Sequence, residues 1–390
     1  MRGRLTRLPS AQRWHCLSMG ARRSRLIYLV KIALFLGAAF WLVRTPAALA
    51  ADQGYVVLQE PALQVRDPAA ALLISITRAG NRLVAVGNHG IITYSDDNGA
   101  SWRQSAVPLQ VTITTVAFAS AKVGWAAGAY GVVLHTTDAG ATWQLQIWGK
   151  QVNQLMQQAA ARLFQSNAQD PAAARAVRRA SIFAAAGPDK PFLTILPLSP
   201  EQAIIMGGYR MCIRTADAGR NWADCSLSIP DPVSHNVYSA IRAGNVIYAA
   251  GEAGDVFSAD AGGLVFKPLN SPGPATLLGI LQTRSGALLA YGVADSMFRS
   301  TDGGNGWTSI NVPGGADLTS GLVMDTGVII VTSPNGEICA SSDDGQRFHV
   351  LPLNLGMAVF GATQAGNGAL VFVGSGGVRV VAKIALNGSN

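Results

Sequence analysis

Short apolar runs separated by glycine- and aspartate-rich turns dominate the chain beyond residue 70. Leu83-Val84-Ala85-Val86 is followed by Gly87-Asn88-His89-Gly90, then Ile91-Ile92, then a polar turn that ends on Trp102. The succession returns at 125–143, with Gly128-Ala129-Tyr130-Gly131 as its first turn. Variants of that turn are Gly208-Tyr209-Arg210, Gly251-Glu252-Ala253-Gly254, Gly292-Val293-Ala294-Asp295 and Ser333-Pro334-Asn335-Gly336. Apolar runs bounded by such turns predict short strands joined as antiparallel hairpins.

The second turn of each unit is a repeat, Ser/Thr-x-Asp-x-Gly-x-x-Trp/Phe. It reads Ser95-Asp97-Gly99-Trp102, Thr136-Asp138-Gly140-Trp143, Thr215-Asp217-Gly219-Trp222, Ser300-Asp302-Gly304-Trp307 and Ser341-Asp343-Gly345-Phe348. A degenerate copy, Ser258-Asp260-Gly262, carries Val265 and Phe266 in place of the aromatic position. Successive aspartates lie 41, 79, 43, 42 and 41 residues apart. A unit of about forty residues is the size of a propeller blade. In such a turn the carboxylate accepts from backbone N–H groups, the hydroxyl adds a local bond, and glycine permits positive φ. The aromatic covers the gap to the neighbouring sheet. These aspartates are read as turn locks, not as catalytic groups.

Six copies predict six blades, each with four strands. The C-terminal stretch predicts a seventh from strands at 358–362, 369–374 and 378–382, around Gly374-Ser375-Gly376-Gly377. No repeat follows, and the run Tyr55-Val56-Val57-Leu58 is expected to supply its missing outer strand, ahead of the first inner strand near 72–77. The expected fold is all-β, a seven-bladed β-propeller of four-stranded antiparallel blades over 51–390, with one α-helical insertion.

That insertion, 148–190 between blades two and three, accounts for the long interval. Val152, Leu155, Met156, Ala159 and Leu163 recur at helical spacing and predict a helix over 151–165. Asp170 and Pro171 open a second helix that ends before Gly187-Pro188. In a four-stranded meander the connection between blades leaves on the side of the glycine turns, so the hairpin is placed on the rim with His89, Tyr130 and Arg210. It is also a basic island: residues 150–190 carry a net +4, with Arg175, Arg178 and Arg179 on one helix face. A solvated helix face is one reading. A docking surface for an acidic partner segment or anionic lipid headgroups is the other.

Charge and targeting change the picture at the N-terminus. Residues 1–50 hold nine cations and no acid, and an apolar run at 32–43 precedes Pro46 and Ala48-Leu49-Ala50. This is the layout of a signal peptide cleaved near Ala50, with a retained signal anchor as the alternative. The protein is therefore expected in the periplasm, or held at the inner membrane facing it. The whole chain carries +8, which leaves the remainder at −1. The basic balance is a targeting feature, and nucleic acid is not an expected partner. Cys212 and Cys225 flank one turn symmetrically: opposed on a hairpin they form a disulfide in an oxidising compartment, or else stand as ordinary sheet cysteines. No Cys/His cluster has zinc spacing, and no metal or cofactor is expected.

The combination of glycine turn and repeat, as in Val86 to Trp102 and Ala127 to Trp143, resembles the photosystem II assembly (stability) factor propellers of chloroplasts and cyanobacteria and their bacterial relatives. The aspartate repeat alone, the Asp-box or BNR repeat, is shared with sialidases. The resemblance covers roughly 55–385. It implies a non-enzymatic factor that binds protein and assists a membrane complex, with a photosynthetic role only where a photosystem exists; a monomer is expected. The arginine patch of the photosynthetic members is matched loosely by Arg210 and Arg214, with His89 and Tyr130 in equivalent turns. The alternatives are a sialidase-like glycoside hydrolase, for which no carboxylate and arginine set can be assigned, and an accessory subunit of an envelope transporter.

Overall fold

A computed structural model describes residues 54–230 and 234–382. The expected signal segment at 1–50 lies outside the described residues, as does the C-terminal end of the expected propeller span. Six antiparallel sheets have four strands each and a seventh has three. Each inner strand neighbours the inner strand of the next blade, and that of blade seven, Val359–Gln364, neighbours that of blade one, Leu73–Ala79. The chain is a seven-bladed β-propeller that carries a helical hairpin.

The second strand of most blades is buried on both faces, as in Gly124–Gly128, Ala203–Gly207 and Leu288–Gly292. Both faces pack against adjoining blades, so these strands are wholly apolar or small and do not alternate. The core therefore lies between blades. Trp125 and Val133 of blade two meet Phe192 and Ile205 of blade three in one buried cluster. The glycine that ends the second strand has a steric reason: a Cβ on Gly128 would stand 2.2 Å from the Thr112 carbonyl oxygen of the incoming inner strand.

The hydroxyl, carboxylate and glycine core of the repeated turn is the same device in five blades, and the indole bond to the glycine carbonyl occurs in blades one and two. In blade one, Ser95 Oγ donates to Asp97 Oδ1 (2.7 Å) and accepts from the Gly99 N–H (2.8 Å). Asp97 Oδ1 also accepts from the Ser101 N–H (2.9 Å), and the Trp102 indole N–H donates to the Gly99 carbonyl (3.0 Å). Hydrogen bonds from the Ser101 hydroxyl and N–H and from Ser95 hold the Asp97 carboxyl at about 2. Blade four departs from the pattern: Asp260 accepts from the Gly262 N–H (2.8 Å) and Asn245 Nδ2 (2.9 Å), and Phe266 is the buried aromatic.

Blade seven corrects the expectation for the N-terminal run. Val56–Leu58 forms a single 3-10 turn, not a strand, and blade seven keeps three strands. Val57 and Leu58 pack on the cluster shared by blades one and two. The Gln110 N–H donates to the Val57 carbonyl (2.7 Å), and the Ala62 and Leu63 N–H groups donate to Val107 (3.0 Å) and His89 (3.1 Å). The ring closes by packing instead, with Val371 and Val373 of blade seven against Leu83 and Ala85 of blade one. The Asn367 N–H donates to Asn98 Oδ1 (3.2 Å) across the same junction.

Candidate functional site

The hairpin consists of α1 (Gly149–Ser166) and α2 (Pro171–Ala185). The first helix starts two residues earlier than its apolar period suggests, because Gln151 reaches back to accept from the Trp148 N–H (3.2 Å). Asp170 caps the second by accepting from the Ala172 N–H (2.8 Å). Val152 and Met156 of α1 and Ala180 and Phe183 of α2 join the cluster between blades two and three. The start of α1 lies so close to the turn of blade two that a Cβ on Gly131 would stand 2.9 Å from Gly149 Cα. The hairpin thus stands on the rim of the glycine turns.

Between α2 and blade three lies a groove of about 1130 Å³. Arg175, Arg178, Arg179 and Ile182 line it from the helix, Tyr209 and Leu227 from the blade. Ile182 is 60% exposed, Tyr209 50% and Leu227 41%, so apolar surface lies open beside the cations. Arg179 is partly tied down: it donates to the Tyr209 carbonyl, and its guanidinium stands over the Phe183 ring at 5.5 Å. Beneath it, burial pushes the Asp224 carboxyl up, against the pull of the Arg179 cation. Lys190 adds a further cation at the groove, donating to the Gly187 carbonyl (3.0 Å) and to Asp189 (2.7 Å).

The three arginines of α2 therefore meet at one site, and the other expected contact residues do not join them. Arg210, expected at a partner's contact surface, is 2% exposed. It donates to the Pro230 carbonyl and to Asp255, which is also bonded by His235 Nδ1 (2.9 Å). Its guanidinium stacks over Phe257 at 4.7 Å, so it is a strut between blades three and four. Arg214 is exposed but lies toward the opposite end of its strand, Cys212–Thr215, next to the repeated turn. His89 is exposed on blade one, and Tyr130 on blade two packs edge-on to Tyr55 at 5.8 Å. The structural equivalent of His89 and Tyr130 is Tyr209: all three take positive φ (55°, 57° and 54°) at the centre of their turns. Arg210 occupies the place of Gly90 and Gly131, also at positive φ. Centring the turns on that left-handed position is the signal that would have singled out Tyr209. A disulfide joins Cys212 to Cys225.

No family model matches the chain, and no curated protein does either. Solved structures do. YCF48 bound to a D1 peptide aligns with a TM-score of 0.58 at 16% identity, over 82% of this chain and 97% of its own. YCF48 from Cyanidioschyzon merolae aligns with 0.58 at 15% identity, over 81% and 97%. The WD40 β-propeller domain of Doa1 aligns with 0.58 at 9% identity, over 85% and 98%. The shared fold is a β-propeller. Identities this low carry the architecture alone, and the groove is built from this chain's own hairpin.

Proposed function

We propose that this protein is an exported, non-enzymatic propeller that binds a segment of a membrane-protein complex and assists its assembly. The observation that carries the reading is the groove: three arginines on one helix face beside exposed Ile182, Tyr209 and Leu227. Cations flanking open apolar surface fit a protein segment that carries both acidic and aliphatic side chains. A carboxylate on such a segment pairs with Arg175 or Arg178 while its apolar neighbours cover Ile182 and Leu227.

Three considerations support this choice. A propeller of the same architecture, YCF48, is bound to a D1 peptide. The Asp-box turns and preceding glycine turns resemble the photosystem II assembly factors. Among the described lining residues the carboxylate is Asp189, which Lys190 engages, whereas a sialidase-like hydrolase needs an acidic proton donor and a Tyr/Glu nucleophile pair. The basic, apolar N-terminal segment fits export to the periplasm, with release or tethering at the inner membrane.

Crosslinking in intact cells followed by mass spectrometry tests the reading, with Arg175→Glu and Arg178→Glu combined as the control. Crosslinks from α2 to an acidic segment of a membrane protein are expected, and the double variant should lose them. Equal capture by the variant removes the groove from the proposal. Turnover of fluorogenic glycosides by the purified protein removes its non-enzymatic part.

A further inference from the structure

The outer strand of blade three, Ala223–Asp224, is two residues long and pairs at Arg214↔Ala223 and Ile213↔Asp224. One more backbone bond follows, from the Cys225 N–H to the Cys212 carbonyl (2.8 Å), and there the two sulfurs are joined. Among the described residues this is the one disulfide. Its position is specific. The chain past Cys225 enters the short turn Ser226–Ser228, which carries Leu227 to the groove. The chain before Cys212 is the turn Gly208–Arg210, which carries Tyr209. Asp224, next to Cys225, lies in the field of Arg179 and accepts from Ser226 Oγ (2.8 Å). The covalent bond thus lies between the two segments that carry the exposed apolar groups of the blade-side wall, Tyr209 and Leu227, and beside the strand packed against α1.

We propose that the Cys212–Cys225 disulfide is a redox latch on the groove: oxidised, it fixes the Tyr209 and Leu227 wall for ligand, and reduction by a dithiol frees that wall and releases the ligand. This rests on the groove being the ligand site. Cys225 is 7% exposed against 1% for Cys212, so its sulfur is the one a reductant meets first on local opening. The reductant's thiolate attacks the Cys225 sulfur, the S–S bond breaks, and the Cys212 sulfur leaves and takes a proton. The reductant's second thiol then displaces Cys225 from the mixed disulfide. The protein gains two thiols and the dithiol becomes a disulfide, with two electrons transferred. The two cysteines are only 13 positions apart within blade three, so the other blades keep their packing.

The test uses the full chain and a fluorescein-labelled peptide of alternating glutamate and leucine. Reduction with dithiothreitol is expected to weaken binding about tenfold, the gain that a preorganised wall confers. Cys212→Ala with Cys225→Ala should bind as the reduced protein does, under either redox condition. Amide exchange should rise at 209–212 and 224–229 and stay unchanged in blades one, five and six. Equal binding by oxidised and reduced protein overturns the latch and leaves the groove in place. Failure of the oxidised protein to bind better than the Arg175→Glu, Arg178→Glu variant overturns both. A rise in exchange throughout the ring overturns the latch, because the bond is then a staple of the whole fold.

Discussion

The ring of Tyr209 stands edge-on to the ring of Phe183, with centroids 5.8 Å apart and planes at 86°. This contact joins α2 to the turn of blade three, and the Arg179 bond to the Tyr209 carbonyl reinforces it. Tyr209→Ala removes an edge-to-face pair, whose contribution is about 1 kcal/mol. Faster amide exchange in α2 is the expected readout, with Tyr209→Phe unchanged. Equal exchange in the two variants would show that the hairpin is seated by its buried cluster, Val152 and Met156 with Ala180 and Phe183, without this ring pair.

The repeated turns differ in how much each aspartate holds. Asp138 accepts from the Thr142 N–H (3.0 Å), the Thr142 hydroxyl (2.7 Å) and the Thr136 hydroxyl (2.7 Å). Asp260 in the degenerate copy accepts from Gly262 and Asn245. Asp138→Ala should cost about 1–2 kcal/mol, and Asp260→Ala less, because fewer donors are orphaned. Thermal melts of the two variants side by side check the order.

Acid should unlock the same turns. Asp97 is held at about 2 by its bonds from Ser101 and Ser95, and Asp343 at about 2, where bonds from Arg347 and Ser341 outweigh the opposing effect of burial. Asp138, Asp217 and Asp302 are lowered in the same direction. A carboxyl that is lower in the folded protein than in the unfolded chain contributes fully above the unfolded value, and the contribution disappears as pH falls toward the folded one. The contribution of these turns to the melting temperature should therefore be level above about pH 5 and fall steadily from there to about pH 2. Asp97→Asn should flatten part of that fall.

Arg210 should matter to stability before it matters to binding. Arg210→Met takes the arginine from Asp255, which keeps its bond with His235, and removes the hold on the Pro230 carbonyl. The arginine is buried and the aspartate part-exposed, so breaking the pair costs about 1–3 kcal/mol. A lower melting temperature with unchanged peptide capture in the cold is expected. Lost capture at full stability would place Arg210 at the ligand.

Much of this was legible along the chain. Aspartates at near-constant intervals reported the blades, and the single long interval reported the hairpin, because a blade is a local meander whose turns need particular residues. The outer strand of blade seven was misread from Tyr55 to Leu58. A short apolar run does not say which surface it will cover, and these residues find theirs on blades one and two. The groove was half legible. Three arginines on one helix face are visible from spacing, whereas Tyr209 and Leu227 become its wall only when the hairpin folds back over blade three.

The sequence alone determined the local devices: hydroxyl, carboxylate and glycine at fixed offsets form a turn whatever surrounds it, and Asp170-Pro171 opens a helix by its own geometry. The tertiary structure decided which side chains face a ligand. Arg210 and Arg179 look alike in sequence, yet one lies between blades against Asp255 and the other reaches from α2 to the Tyr209 carbonyl. That difference arises from packing between segments distant along the chain, which local spacing cannot encode.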